Sequence, residues 1–379
     1  MRLRIFSLIV IAMLAVPCFK CYAFGISAHS AVVIDSLTGD VIYEKNAYER
    51  RRMASTTKIM TAICALENGN PDDMVKVHPS AVGVEGSSMY LGHGEEISLR
   101  DLTYGLMLAS GNDAAVAIAM HISGSIDAFA DLMNKTAAKI GADDTSFKNP
   151  NGLDADGHYT TACDLAKITR YGMSIPAFAE IVANENVKVP WHGRDYPRQL
   201  KNHNKLLHMY EGCDGVKTGF TKKSGRCLVS SATKEGYQVI AVTLNAPDDW
   251  NDHMSMLNYA FENYENKQLL KADDYLGTVP IINGVTDTVE IVAENGFSMP
   301  VKNGTVPDVE MRYRLPETLE APLGFGQEVG KVDFYYKGSL IGTVAAVSNG
   351  SVAYCEPETI LNSLRKIFKS FFLMYRMTC

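Results

Sequence analysis

Three short clusters could carry chemistry. Ser55-Thr56-Thr57-Lys58 sets a hydroxyl and an amine three residues apart, and on a helix that spacing puts both side chains on one face. A serine is inert at neutral pH unless a neighbour takes its proton, which a lysine can do once burial lowers its pKa. A helix N-terminus at that point would also favour a developing anion. Ser110-Gly111-Asn112 offers a second hydroxyl and an amide, and Lys217-Thr218-Gly219 a cation, a hydroxyl and a residue without Cβ. Singly, each is common: a capping serine beside a surface lysine, an ordinary turn, a strand with a bulge. Only their conjunction, in this order and each in a fitting local context, carries information. Signals for other chemistries are missing, with no His-Glu-x-x-His, no Walker loop and no G-x-S-x-G elbow. His203 and His208, five residues apart, do not share a helical face and read as ordinary polar residues. No metal or nucleotide cofactor is implied.

The elements that must hold these clusters are legible in the hydrophobic pattern. A strand hairpin runs from Ala31 to Tyr43 through Thr38-Gly39-Asp40. Ser55 opens an apolar helical run ending at Asn68-Gly69. Ser98 with Asp101 starts a helix through Leu108, and Ser110-Gly111-Asn112 breaks it. Helices follow over Asp113–Ile122, closed by Gly124, then Ile126–Ile140 and Thr161–Met173. Strands cover Gly215–Phe220, Arg226–Ala232 and Gln238–Leu244. A last helix, Asp252–Tyr264, precedes the polar stretch Glu265-Asn266-Lys267. Strands, helices, strands, helix is the order of an α+β layer with an antiparallel sheet. The clusters fall on a helix start, an interhelical turn and a strand. Beyond Ala272, short alternating runs (Val289–Val292, Val309–Tyr313, Gly330–Tyr336, Leu340–Val347) predict a small all-β, sandwich-like domain without catalytic clusters.

The 379 residues include 36 Lys+Arg and 43 Asp+Glu, a formal charge of −7, with 46% hydrophobic and 21% charged residues. That balance excludes disorder, collagen and a polytopic membrane protein, and the length predicts two domains. An acidic total argues against nucleic acid as a partner. Met1-Arg2-Leu3-Arg4, the apolar run Ile5–Val16 and Cys21-Tyr22-Ala23 read as an export signal cleaved after Ala23. Cys18 and Cys21 leave with it. The other cysteines (Cys64, Cys163, Cys213, Cys227, Cys355, Cys379) read mostly as small buried hydrophobes. At the other end Ile360, Leu361, Leu364, Ile367, Phe368, Phe371 and Tyr375 recur at helical spacing, with Arg365, Lys366, Lys369 and Arg376 between them. Such a helix reads as lying in a membrane interface. The expected divisions are 1–23 signal, 24–270 catalytic domain, 271–357 β-domain and 358–379 anchor. The predicted location is the outer face of the cytoplasmic membrane.

The clusters and their surroundings resemble the penicillin-recognising serine hydrolases, and within them the low-molecular-mass D-alanyl-D-alanine carboxypeptidases. The resemblance rests on Met53–Ala62, Leu108–Ala115, Phe147-Lys148-Asn149-Pro150-Asn151-Gly152-Leu153, His158–Ala162 and Asp214–Thr221. It implies a β-lactamase/transpeptidase-like α+β domain, a small β-domain and a C-terminal amphipathic helix. It also implies roles. Ser55 would be the acylated nucleophile, Lys58 its base, and Ser110 the proton relay to the leaving amine. Asn112 would bind the substrate amide. Lys217 and Thr218 would hold the terminal carboxylate, Lys217 as a cation that stays untitrated, and Gly219 would leave room for the acyl chain. Backbone N–H groups of Ser55 and Phe220 would form the oxyanion hole. The middle cluster is Ser-Gly-Asn, not the Ser-Asp-Asn of class A β-lactamases, and no E-x-x-L-N element precedes Lys-Thr-Gly. His203 stands where some relatives carry an arginine near the carboxylate. The implied partners are peptidoglycan stem peptides, with β-lactams as covalent inhibitors. Two alternatives stay open: a D,D-endopeptidase using the same residues on cross-links, and a non-hydrolytic penicillin or muropeptide sensor that acylates without turnover.

Overall fold

The computed structural model describes residues 25–355, together with 364, 365 and 367–369. The expected leader, 1–23, lies outside the described residues, as does the expected anchor apart from those positions. In chain order the first domain contains β1 (Ser30–Asp35), β2 (Val41–Lys45), α1 (Lys58–Asn68), β3 (Met74–Lys76), β4 (Glu96–Ser98), α2 (Leu99–Met107) and α3 (Asn112–Ser123). Then come α4 (Ile126–Ile140), α5 (Ala162–Met173), α6 (Pro176–Ala183), β5 (Asn186–Val189), β6 (Arg198–Lys201) and α7 (Leu206–Met209). β7 (Cys213–Thr221), β8 (Gly225–Lys234), β9 (Tyr237–Leu244) and α8 (Asp249–Asn263) complete it.

Five strands form one antiparallel sheet in the order β2-β1-β9-β8-β7. β1 is buried along its whole length because helices cover both faces. Val32 and Ile34 join the core that holds Leu165, Ala166 and Ile168 of α5, while Ala31 and Val33 join that of Met256, Leu257 and Ala260 of α8. The period-two alternation of a half-buried strand is therefore lost. α3 is apolar nearly all round and sits inside the helical layer, as such a helix must.

Local signals explain the helix ends. Ser98 Oγ accepts from Asp101 N (3.0 Å) and Thr161 Oγ1 from Asp164 N (3.0 Å), each satisfying an orphan amide of the first turn. α3 and α4 end on left-handed glycines, Gly124 and Gly141.

The second domain holds β10 (Tyr264–Leu270), β11 (Tyr275–Ile282), β12 (Thr288–Ala293), β13 (Phe297–Lys302), β14 (Val309–Arg314), β15 (Leu319–Glu320), β16 (Glu328–Tyr336) and β17 (Ser339–Ser348). Six of them form a sheet in the order β14-β16-β17-β12-β11-β15, and β10 pairs with β13. The polar stretch Glu265-Asn266-Lys267 that follows the last helix is part of β10, bonded in register to Met299–Val301. Leu270 joins the core of Ala293, Val332 and Phe334, so 264–270 side with the second domain. The domains meet where Tyr336 Oη and Lys337 Nζ each donate to Asp40, both at 2.8 Å. Among the described residues, no single helix is long and apolar enough to cross a membrane.

Candidate active site

The chain before α1 does not enter the helix directly. Ala54–Thr57 form a 3₁₀ turn, Ala54 adopts a left-handed φ of +48°, and the α-helix begins only at Lys58. Ser55 therefore sits on a tight turn and is half-exposed, while Lys58 is fully buried. Lys58 Nζ lies 3.0 Å from Ser55 Oγ, 2.6 Å from Asn112 Oδ1 and 2.6 Å from the carbonyl of Asn151. The two carbonyl oxygens can only accept. A neutral amine spends its two N–H bonds on them, which turns its lone pair toward the serine hydroxyl. Burial favours that neutral form: desolvation, then the nearby charge of Lys217, push the Lys58 pKa well below that of an ordinary lysine, against a smaller opposing pull from Asp113.

The Ser-Gly-Asn turn joins α2 to α3. Ser110 is buried with φ +59°, and its hydroxyl makes no hydrogen bond among the described residues. Asn112 begins α3. Its Oδ1 is taken by Lys58, and its Nδ2 donates to Glu85 O at 2.5 Å. The substrate contact expected of Asn112 is thus reduced to its second amide proton, because its first task is to hold Lys58. Next to it, the buried Asp113 carboxylate accepts from Ser88 Oγ (2.6 Å), Met89 N (3.0 Å) and Leu91 N (3.0 Å), fastening the 85–91 loop over the site.

β7 forms the opposite wall as an edge strand, bonded to β8 alone. A Cβ on Gly219 would stand 3.0 Å from Ser55 N and 3.1 Å from Met53 O. The missing Cβ therefore lets the strand pass close to the turn that carries Ser55. Thr218 is half-buried and Phe220 is 65% exposed. Lys217 is buried, donates to Thr218 O (3.1 Å), and its pKa is lowered by desolvation to about 7. Burial thus brings its titration toward neutral pH, which an edge strand read from sequence alone does not reveal. The His203 side chain is exposed at the surface, while partial desolvation and then the charges of Lys217 and Lys58 lower its pKa. His208 instead pairs with Glu185.

Some functional positions lacked a role in the sequence reading. The Asn151 carbonyl is a partner of Lys58. Gly152, at φ +87°, lets that loop pass: a Cβ there would lie 2.0 Å from Ala54 O. His158 Nδ1 accepts from Lys148 N (3.0 Å), so its Nε2–H donates to Thr57 Oγ1 (2.8 Å), and burial lowers its pKa to about 4. The only sequence signal for these was the Asn-Pro-Asn-Gly and His-Tyr-Thr-Thr pattern. Among the described residues, no group of three or more His, Cys, Asp or Glu could hold a metal ion. Cys64, Cys163 and Cys227 are buried and unpaired, whereas Cys213 is half-buried and Cys355 exposed.

An α+β scaffold that buries a lysine against a serine defines the class, a serine hydrolase of transpeptidase-like fold. The chain belongs to the D-alanyl-D-alanine carboxypeptidase family, peptidase S11, which it matches over residues 19–248. Residues 264–354 match the C-terminal domain of penicillin-binding protein 5. It is 36% identical to the D-alanyl-D-alanine carboxypeptidase DacF of Bacillus subtilis over 331 residues, 83% of each chain. To DacD of Escherichia coli it is 31% identical, over 86% of this chain and 88% of that one. The solved penicillin binding protein 5 of Haemophilus influenzae is similar with a TM-score of 0.63 and 29% identity, covering 87% of this chain and 98% of that one.

Proposed function

We propose that this D-alanyl-D-alanine carboxypeptidase removes the terminal D-alanine of peptidoglycan stem pentapeptides through an acyl-enzyme on Ser55. The observation that carries the reading is the buried, doubly tethered Lys58 amine 3.0 Å from Ser55 Oγ. Ser55 O–H gives its proton to Lys58 Nζ as Oγ attacks the penultimate carbonyl carbon. The oxyanion forms opposite the backbone N–H groups of Ser55 and Phe220. Lys217 and Thr218 hold the terminal carboxylate, and Asn112 the amide before the scissile bond. The C–N bond then breaks, and the leaving D-alanine amine takes a proton relayed through Ser110. Water, activated by Lys58, hydrolyses the ester and frees Ser55. A β-lactam enters the same first step, and its opened ring stays on Ser55.

We further propose that the protein is exported and held at the outer membrane face by residues 358–379. The leader pattern supports this. So do the described positions of the last segment, where Leu364, Ile367 and Phe368 are exposed on helical backbone alongside Arg365 and Lys369.

Labelling with a fluorescent penicillin tests the nucleophile: wild type labels and Ser55→Ala does not. Equal labelling would show the assignment to be wrong. D-alanine released from a pentapeptide by wild type then separates a carboxypeptidase from a sensor that acylates without turnover.

A further inference from the structure

Tyr90 combines features that an incidental surface residue lacks. Its ring is 72% exposed, while its backbone is held at φ +62°, a left-handed conformation that costs an aromatic residue free energy and persists only where the surroundings impose it. They do so from both sides. Tyr90 N donates to Ser88 Oγ (2.8 Å), and the flanking Met89 and Leu91 amides are the two that donate to Asp113. Tyr90 O accepts from Arg198 Nη2 (3.0 Å). Arg198 is itself buried in a two-pronged ion pair with Glu95 (2.8 and 3.0 Å), which also accepts from Gly92 N. Its Nε is buried without a partner, so the pair is poorly optimised for stability alone. What it achieves is registry: it ties the 85–92 loop to the first residue of β6.

We propose, building on the carboxypeptidase reading, that Tyr90 is a specificity-determining residue whose ring covers the stem residue preceding the two D-alanines, with Arg198 and Glu95 as its positioning residues. The loop that carries Tyr90 also supplies Glu85 O and Ser87 O to Asn112, the first residue of the Lys58-bearing wall. In the carboxypeptidase reading Asn112 holds the amide before the scissile bond, so the loop bonded to it borders the upstream side of the substrate, and the exposed Tyr90 ring is carried on that loop.

The test compares D-alanine release from a stem pentapeptide and from an N-acetyl-D-Ala-D-Ala dipeptide. Tyr90→Ala should lower kcat/KM roughly tenfold for the pentapeptide, through KM, and leave the dipeptide within about twofold. Tyr90→Phe should match wild type on both. Arg198→Met should reproduce the Tyr90→Ala pattern. Tyr90→Gly, which relieves the backbone, should melt no lower than wild type while showing the same pentapeptide loss, which separates contact from folding. An unchanged pentapeptide rate, or an equal loss on both substrates, overturns the proposal. A wild type that labels with penicillin but releases no D-alanine fails the carboxypeptidase reading itself, and the proposal with it.

Discussion

Two lysines share the site, and burial acts on both in the same direction with opposite consequences. Lys58 needs to be neutral to accept a proton, and its lowered pKa helps it. Lys217 needs to be charged to hold a carboxylate, and a pKa near 7 works against it in the empty site. The acid limb of kcat/KM should therefore follow Lys58 and the alkaline limb Lys217, with the alkaline limb beginning below the ordinary lysine range. A bound carboxylate favours the charged amine, so the same limb should lie higher in kcat. Lys217→Arg keeps its charge at every working pH and should move the alkaline limb upward; an active Arg variant with the wild-type limb would refute the assignment. The same shift bears on stability. Lys217 is protonated in the unfolded chain up to about pH 10.4 but loses its proton in the folded one near 7. The folded state therefore gains stability as pH rises across that window and carries the full cost of burying the charge below it. Lys217→Met should accordingly raise Tm most below pH 7, even as peptide turnover is lost. The residue types of this site could be read from the sequence as three clusters. Their protonation could not, because desolvation depends on what the fold stacks over them.

At the scale of elements, the nucleophile turn is held by backbone approaching from two sides. Gly219 of β7 passes on one side and Gly152 on the other. Gly152→Ala adds a Cβ 2.0 Å from Ala54 O, at a φ of +87° that already disfavours any side chain. The carbonyl beside it, Asn151 O, holds Lys58. The variant should lose about 2 kcal/mol or more of stability and label with penicillin more slowly. Gly83 provides the control: its φ is +76°, but nothing lies within 4 Å of its Cβ position. Gly83→Ala should pay the backbone strain alone, about 1 kcal/mol, and label normally. Wild-type labelling and melting for Gly152→Ala would remove the contact from the account. Elements announced by local chemistry were legible: the Ser98 and Thr161 caps and the Gly124 and Gly141 stops agree with the predicted helix ends to within a residue or two. The 3₁₀ turn at Ser55 was not, because the backbone packed around it comes from distant parts of the chain. β10 was missed for a similar reason. Its polar Glu265-Asn266-Lys267 shows no strand pattern of its own, and β13 supplies the partner strand.

For the whole molecule, the charge of −7 averages unlike parts. An acidic two-domain body follows a basic N-terminal stretch and precedes a basic, aromatic C-terminal segment. The first domain buries its own two cores on either face of the five-stranded sheet and carries every residue assigned to the reaction. The second domain adds two small cores of its own. Nothing in the chemistry therefore depends on residues 358–379, and their pattern suits a lipid interface. Each basic residue near an anionic surface contributes about 1 kcal/mol, screened by salt, whereas burial of Leu, Ile and Phe side chains is not screened. Deleting 358–379 should move the protein from the membrane to the soluble fraction and leave penicillin labelling and dipeptide hydrolysis at wild-type rates. High salt should release the full-length protein only in part, because it weakens the basic contribution and spares the apolar one. Complete release by salt would reduce the anchor to electrostatics. A truncated protein that still sediments with membranes would rule the segment out as the anchor.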